Sequence, residues 1–219
     1  MLEVIRLGPL LIMVDWIILF FCGVCSFLWM KLQMKKELKN GEGMLNAIGN
    51  GVFIVFAIWK SSYLLFEPLS VLDHPFVLIY FSGGYRGWIL GLLTAFLYLS
   101  WESKKQHISL ASYFRWLGLG FLIANGLYHF IFLMKEPNPL LHAADFLLSA
   151  ILFWWIYMGK SNDRAFQGWI WFGILQIFIL FFHGQYPILL GLSREQWIYI
   201  SVSILGFLGQ LKFINFKES

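Results

Sequence analysis

The 219-residue sequence predicts an all-α integral membrane protein with about seven transmembrane helices, and three observations carry that reading. Apolar residues make up 59% of the chain and charged residues only 13%, against roughly 25% charged in an ordinary soluble protein. Apolar runs of about 20 residues, the length that crosses roughly 30 Å of hydrocarbon, recur from one end to the other. The runs are continuously apolar rather than alternating with period two, which disfavours a transmembrane β-barrel.

The predicted spans are Leu10 to Met30, Met44 to Phe66, Phe76 to Leu99, Phe114 to Leu133, Leu140 to Met158, Gln167 to Phe182 and Trp197 to Phe213. They occupy most of residues 1–219 and leave connections too short for a separate aqueous domain, so a single polytopic membrane domain is expected. The first run is too long for a signal-peptide core and no small-residue cleavage site follows it, so it reads as a retained span. The third is interrupted by Gly83-Gly84-Tyr85-Arg86-Gly87. Glycines so close together can break a helix, and a short re-entrant element before a full helix is the alternative reading.

Orientation follows from the basic residues between spans. Lys31, Lys35, Lys36, Lys39, Lys104, Lys105, Arg115, Lys160, Arg164, Lys212 and Lys217 fall on one side, and Arg6, Lys135 and Arg194 on the other. Basic residues are retained on the cytoplasmic side, which predicts an outer N-terminus and an inner C-terminus. An odd number of spans is required for that alternation. The net charge of +4 is thereby explained by topology, and no nucleic-acid partner is expected. Trp101, Tyr113, Trp116, Trp197 and Tyr199 near span ends read as interfacial aromatic belts.

Ionisable groups in hydrocarbon are costly and must be paired or functional. Asp15 and Lys60 lie at similar depth below the outer end of spans one and two, a placement that allows an ion pair between them. Asn125, His129, His142, Asp145, Gln176 and His183 fall in the outer halves of spans four to six, and Arg86 sits beside the glycine segment. This one-sided clustering suggests a polar cavity open to the outer leaflet. His142 and Asp145 are three residues apart and share a helix face, where a carboxylate can orient an imidazole as a general base requires.

Cys22-Gly23-Val24-Cys25 has dithiol spacing, but it lies among phenylalanines within an apolar run, where packing is the plainer role. The histidines have no metal-ligand spacing, and neither a metal nor another cofactor is expected.

In order along the chain, Leu7-Gly8-Pro9, Lys60-Ser61-Ser62-Tyr63-Leu64-Leu65-Phe66, the segment Phe81 to Gly91, Gly118-Leu119-Gly120, Asn138-Pro139 and Gly168 resemble the motifs of the prolipoprotein diacylglyceryl transferase family. That bacterial family moves a diacylglyceryl group from phosphatidylglycerol to a lipoprotein cysteine. Its seven spans, outer N-terminus and inner C-terminus agree with the topology derived above. The resemblance implies a multi-pass protein of the bacterial cell membrane, with a phosphatidylglycerol-like phospholipid and a lipoprotein or exported protein as partners.

The chain departs from the family at its functional motifs. Arg86-Gly87-Trp88 stands where the family has His-Gly-Gly, and Phe121 to Leu127 lacks the arginine and glutamate of the family hallmark. Asp15 stands at the approximate place of the family's span-one tyrosine, and Gln176 where the family's span-six arginine would be expected, an arginine of the kind that holds a lipid phosphate. Two readings therefore stand side by side. In the enzymatic one, a diverged glyceryl- or acyl-type transferase uses His129, His142 and Asp145 for acid–base chemistry, and Asp15, Lys60, Tyr63, Arg86, Asn125 and Gln176 for substrate binding. In the other, the same cavity binds a lipid or partner without turnover. A third, thiol-redox reading would use Cys22 and Cys25.

Overall fold

In the computed structural model, residues 4–7, 10–38, 40–68, 83–135, 139–182 and 190–217 are described, with side chains described from 13 to 211 among them. A short antiparallel hairpin, β1 (Val4–Leu7) and β2 (Leu10–Met13), precedes α1 (Val14–Glu37). There follow α2 (Gly41–Phe66), α3 (Gly84–Gln106), α4 (Leu110–Leu133), α5 (Pro139–Gly159), α6 (Asn162–Phe181) and α7 (Arg194–Lys217). Among the described residues, α1, α2, α4, α5 and α6 are long and apolar enough to cross a membrane, in keeping with a multi-pass membrane protein.

Two predicted elements differ from the observed ones. The first span was expected to be helical from Leu10, but Leu10 to Met13 pair with β1 and the helix opens at Val14. A two-residue connection lets Leu7 and Leu10 face each other directly in the ladder, so the backbone groups there are satisfied by the hairpin and not by a helix. The glycine segment does not interrupt α3. Gly83 caps the helix and Gly84, at φ +56°, opens it, while Gly87 and Gly91 lie inside it. The part of the predicted third span before Gly83 lies outside the described residues.

The chain divides into two compact units, residues 33–113 and residues 1–32 with 114–219. In the first, α3 packs along α2 through small residues at four-residue spacing: Gly83, Gly87, Gly91 and Ala95. A methyl group added at Gly91 would stand 2.8 Å from the Val55 carbonyl oxygen, and one at Gly87 would collide with the Ser62 side chain. The Gly83 amide donates to the Trp59 carbonyl at 3.0 Å, fixing the start of α3 against α2. Apolar helices gain little from burying apolar area against each other in lipid, so close backbone approach through small residues supplies their packing. At the other end of the pair, Gln106 donates to the Gly43 carbonyl at 3.3 Å and accepts from Asn40 at 3.3 Å.

In the second unit the same device recurs. Ser26 Oγ of α1 donates to the Gly120 carbonyl of α4 at 2.6 Å, and Ser203 Oγ of α7 donates to the Ile170 carbonyl of α6 at 3.2 Å. Trp29 lies 5.2 Å from Phe153, 5.8 Å from Tyr157 and 6.2 Å from Trp116, ring centre to ring centre, joining α1, α4 and α5. The short link Lys160-Ser161 makes α5 and α6 antiparallel neighbours, and Ser161 Oγ caps α6 by accepting from the Asp163 amide at 3.2 Å. At the start of α7, Ser193 and Gln196 bond reciprocally, the Ser193 amide to Gln196 Oε1 at 2.8 Å and the Gln196 amide to Ser193 Oγ at 3.3 Å. This is a capping box. Gln196 Nε2 also reaches the Ile177 carbonyl of α6 at 3.3 Å.

Gly91 and Gly23 give opposite predictions. Gly91→Ala forces α2 and α3 apart and should cost about 1–3 kcal/mol. Gly23 has nothing within 4 Å of an added methyl group, so Gly23→Ala should leave the fold unchanged or stabilise it by up to about 1 kcal/mol through helix propensity. Thermal unfolding of the detergent-solubilised variants checks both; equal midpoints would contradict the account.

Candidate functional site: a buried carboxylate and two histidines

A line of polar side chains runs through the apolar helices α4, α5 and α6. Three positions on α5, His142, Asp145 and Ser149, recur at three- and four-residue spacing and therefore share one face. Asn125 and His129 on α4 are also four apart and meet that face, and Gln176 of α6 approaches it from the other side.

Asp145 is at the centre. It is 3% exposed, and Gln176, 5% exposed, donates its amide to Asp145 Oδ1 at 2.6 Å. The second oxygen, Oδ2, lies 3.5 Å from Nδ1 of His129. That same Nδ1 is 2.9 Å from Nδ1 of His142, whose ring centre is 5.1 Å away. Two ring nitrogens at that separation require one donor and one acceptor, so the pair shares a single proton in its contact.

A second branch continues deeper along α5. Asn125 Nδ2 donates to Ser149 Oγ at 2.9 Å, and Ser149 Oγ donates to the Asp145 carbonyl at 2.8 Å. The hydrogen bond between the Asn125 amide and the Ser149 hydroxyl pins α4 to α5.

The structure thus brings together His129, His142, Asp145, Asn125 and Gln176. Gln176 holds the Asp145 carboxylate through its amide. Ser149 was not singled out by the sequence reading, although a small hydroxyl four residues after Asp145 on an apolar helix is a signal for an interhelical hydrogen bond.

The remaining predicted residues lie elsewhere. Lys60 and Tyr63 are half-buried near the end of α2, and exposed Arg86 is in the first turn of α3, its guanidinium 5.8 Å from the Phe66 ring centre. All three belong to the unit of residues 33–113, at the end where α3 begins against Trp59. Asp15 is half-buried in the first turn of α1, where a carboxylate is favoured by the helix dipole, and belongs to the other unit. His183 lies outside the described residues. Cys22 is buried and Cys25 half-buried, both as free thiols. Among the described residues, no three His, Cys, Asp or Glu side chains gather as metal ligands.

A concavity in the same unit is lined by Gly118, Leu122, Ile156, Gly168, Trp169 and Phe172, all apolar or presenting apolar surface. The polar side chains do not line it; they are turned towards one another. The chain matches no protein-family model and no curated protein.

Gln176→Leu should destabilise the protein by about 1–3 kcal/mol, because it leaves a buried carboxylate oxygen without a donor. Ser149→Ala should cost less, since it strands one amide of half-buried Asn125. Denaturant titrations in detergent check the order; a costlier Ser149→Ala would contradict it.

Proposed function

We propose that the chain is a multi-pass protein of the bacterial cell membrane, with seven spans, an outer N-terminus and an inner C-terminus, and that it acts on phospholipid as a diverged relative of the prolipoprotein diacylglyceryl transferases. The observation that carries the reading is the His142–His129–Asp145 line, a base, its proton partner and a charge held in place by Gln176. The motif resemblance supports the substrate class.

In the reaction so inferred, His142 takes the proton of a protein thiol. The sulfur attacks the glyceryl carbon of a phosphatidylglycerol-like lipid, and a C–S bond forms. The C–O bond to phosphate breaks and glycerol phosphate leaves with its electron pair. The proton rests on the imidazole pair, where Asp145 stabilises the added charge. Taken by itself, the unit of residues 33–113 carries in Lys60, Tyr63 and Arg86 cationic and hydroxyl groups of the kind that suit a lipid phosphate. A lipoprotein or exported protein supplies the thiol.

A binding role without turnover is favoured by one observation: the family's histidine position is occupied by Arg86, and Gln176 is committed to Asp145. The two readings separate in one assay.

The purified protein, in vesicles containing phosphatidylglycerol and a cysteine-bearing lipoprotein-type peptide, should release glycerol phosphate. His142→Ala should lower the rate by about 10²- to 10⁴-fold, the range of general-base catalysis. Lys60→Ala with Arg86→Ala should weaken substrate use. Retention of phosphatidylglycerol that is lost in Lys60→Ala with Arg86→Ala, with no release, would establish the binding reading; neither release nor such retention would overturn both.

A further inference from the structure

The end of the α2/α3 unit opposite Lys60 and Arg86 carries a different set of charges. Lys35 and Lys36 end α1, and Lys104 and Lys105 end α3; all four are exposed. The Asn40–Gln106 and Gln106–Gly43 hydrogen bonds hold the end of α3 level with the start of α2, just after α1 closes. The four ammonium groups therefore project from one end of the unit.

Their acidic neighbours offset only part of this charge. Glu102 is buried, accepts from Gln106 at 2.6 Å and lies 3.8 Å from the Lys105 ammonium, whose side chain is 60% exposed. Glu42 lies 4.0 Å from Lys35 with both side chains about three-quarters exposed, a geometry that water screens. Glu37 is exposed at the end of α1.

Two further features mark the depth of this end. Trp101 is 58% exposed, and the Lys105 ammonium stands 4.9 Å above its ring centre. An exposed indole with a lysine head one turn beyond it is the arrangement of a side chain that reaches from hydrocarbon to headgroup. Between Glu42 and Lys60 on α2, and between Arg86 and Glu102 on α3, no residue is charged. At 1.5 Å per residue these stretches are roughly 24 to 27 Å long, close to the hydrocarbon thickness.

We infer that Lys35, Lys36, Lys104 and Lys105 form a docking surface for anionic phospholipid headgroups of the cytoplasmic leaflet, with Trp101 seated at the headgroup boundary. The inference rests on the α2/α3 pair crossing the bilayer, and not on the acid–base chemistry of the other unit. Clustered lysines beside a span attract anionic lipid, and the attraction falls with ionic strength.

The test uses the full chain, purified in a mild detergent and exchanged into a mixture of phosphatidylglycerol and phosphatidylcholine, with the retained lipids counted by native mass spectrometry. The native protein should retain phosphatidylglycerol in preference, and the preference should shrink at high salt. Lys104→Gln with Lys105→Gln should lower it by about fivefold or more. Lys35→Gln with Lys36→Gln is a second, independent variant should the first not fold. Arg194→Gln, an exposed arginine outside both this surface and the phosphate contacts proposed above, should leave the salt-sensitive preference in place. Inorganic phosphate at equal concentration should not displace the lipid. Unchanged preference in both folded lysine variants, or an equal loss of it in Arg194→Gln, would overturn the inference.

Discussion

A buried carboxylate sets the terms for the unit that contains α4 to α6. Asp145 is removed from water, and an uncompensated charge there would be prohibitively costly. Gln176 answers with a 2.6 Å amide hydrogen bond, and His129 with a ring nitrogen at 3.5 Å. Those two partners come from different helices, so satisfying one side chain fixes the rotation of α6 and of α4 about α5. The position of His142 against His129 then follows from the shared face of α5, and the Asn125–Ser149 bond repeats the constraint one turn deeper.

Within each unit the helices are held by close approach rather than by bulk. Gly87 and Gly91 let α3 lie on the backbone of α2, and Ser26 and Ser203 donate to carbonyls of neighbouring helices. Both devices suit a chain whose outer surface is itself apolar. The exposed Phe20, Leu65, Leu140 and Ile151 side chains face outward as a lipid-facing surface would require. The interhelical hydrogen bonds named above each join particular residues and so are specific for register.

Much of this was legible in the sequence, and the remainder was not for physical reasons. Run length and composition give the helices, and the i,i+3 relation of His142 and Asp145 gives their common face. The pairing of Gln176 with Asp145 depends on how α6 rotates against α5, which no local pattern carries. The glycines at 83 and 84 read as a break, and α3 begins there; the four-residue spacing of Gly83, Gly87, Gly91 and Ala95 is in addition a packing stripe. The Ser193–Gln196 box has a recognisable spacing, yet its meaning depends on a helix starting at Arg194. The strand at Leu10 to Met13 was hidden because a continuous apolar run suits a buried strand as well as a helix.

The central claim is that Gln176, through Asp145, holds the two imidazoles in a shared-proton contact. Solid-state spectra of the protein with ¹⁵N-labelled histidine, reconstituted in bilayers, test it most directly. The account predicts a coupling across the His129 Nδ1 and His142 Nδ1 contact, with one nitrogen protonated and the other not, and its disappearance in Gln176→Leu. Two independent rings in the native protein, or an undiminished coupling in Gln176→Leu, would contradict it.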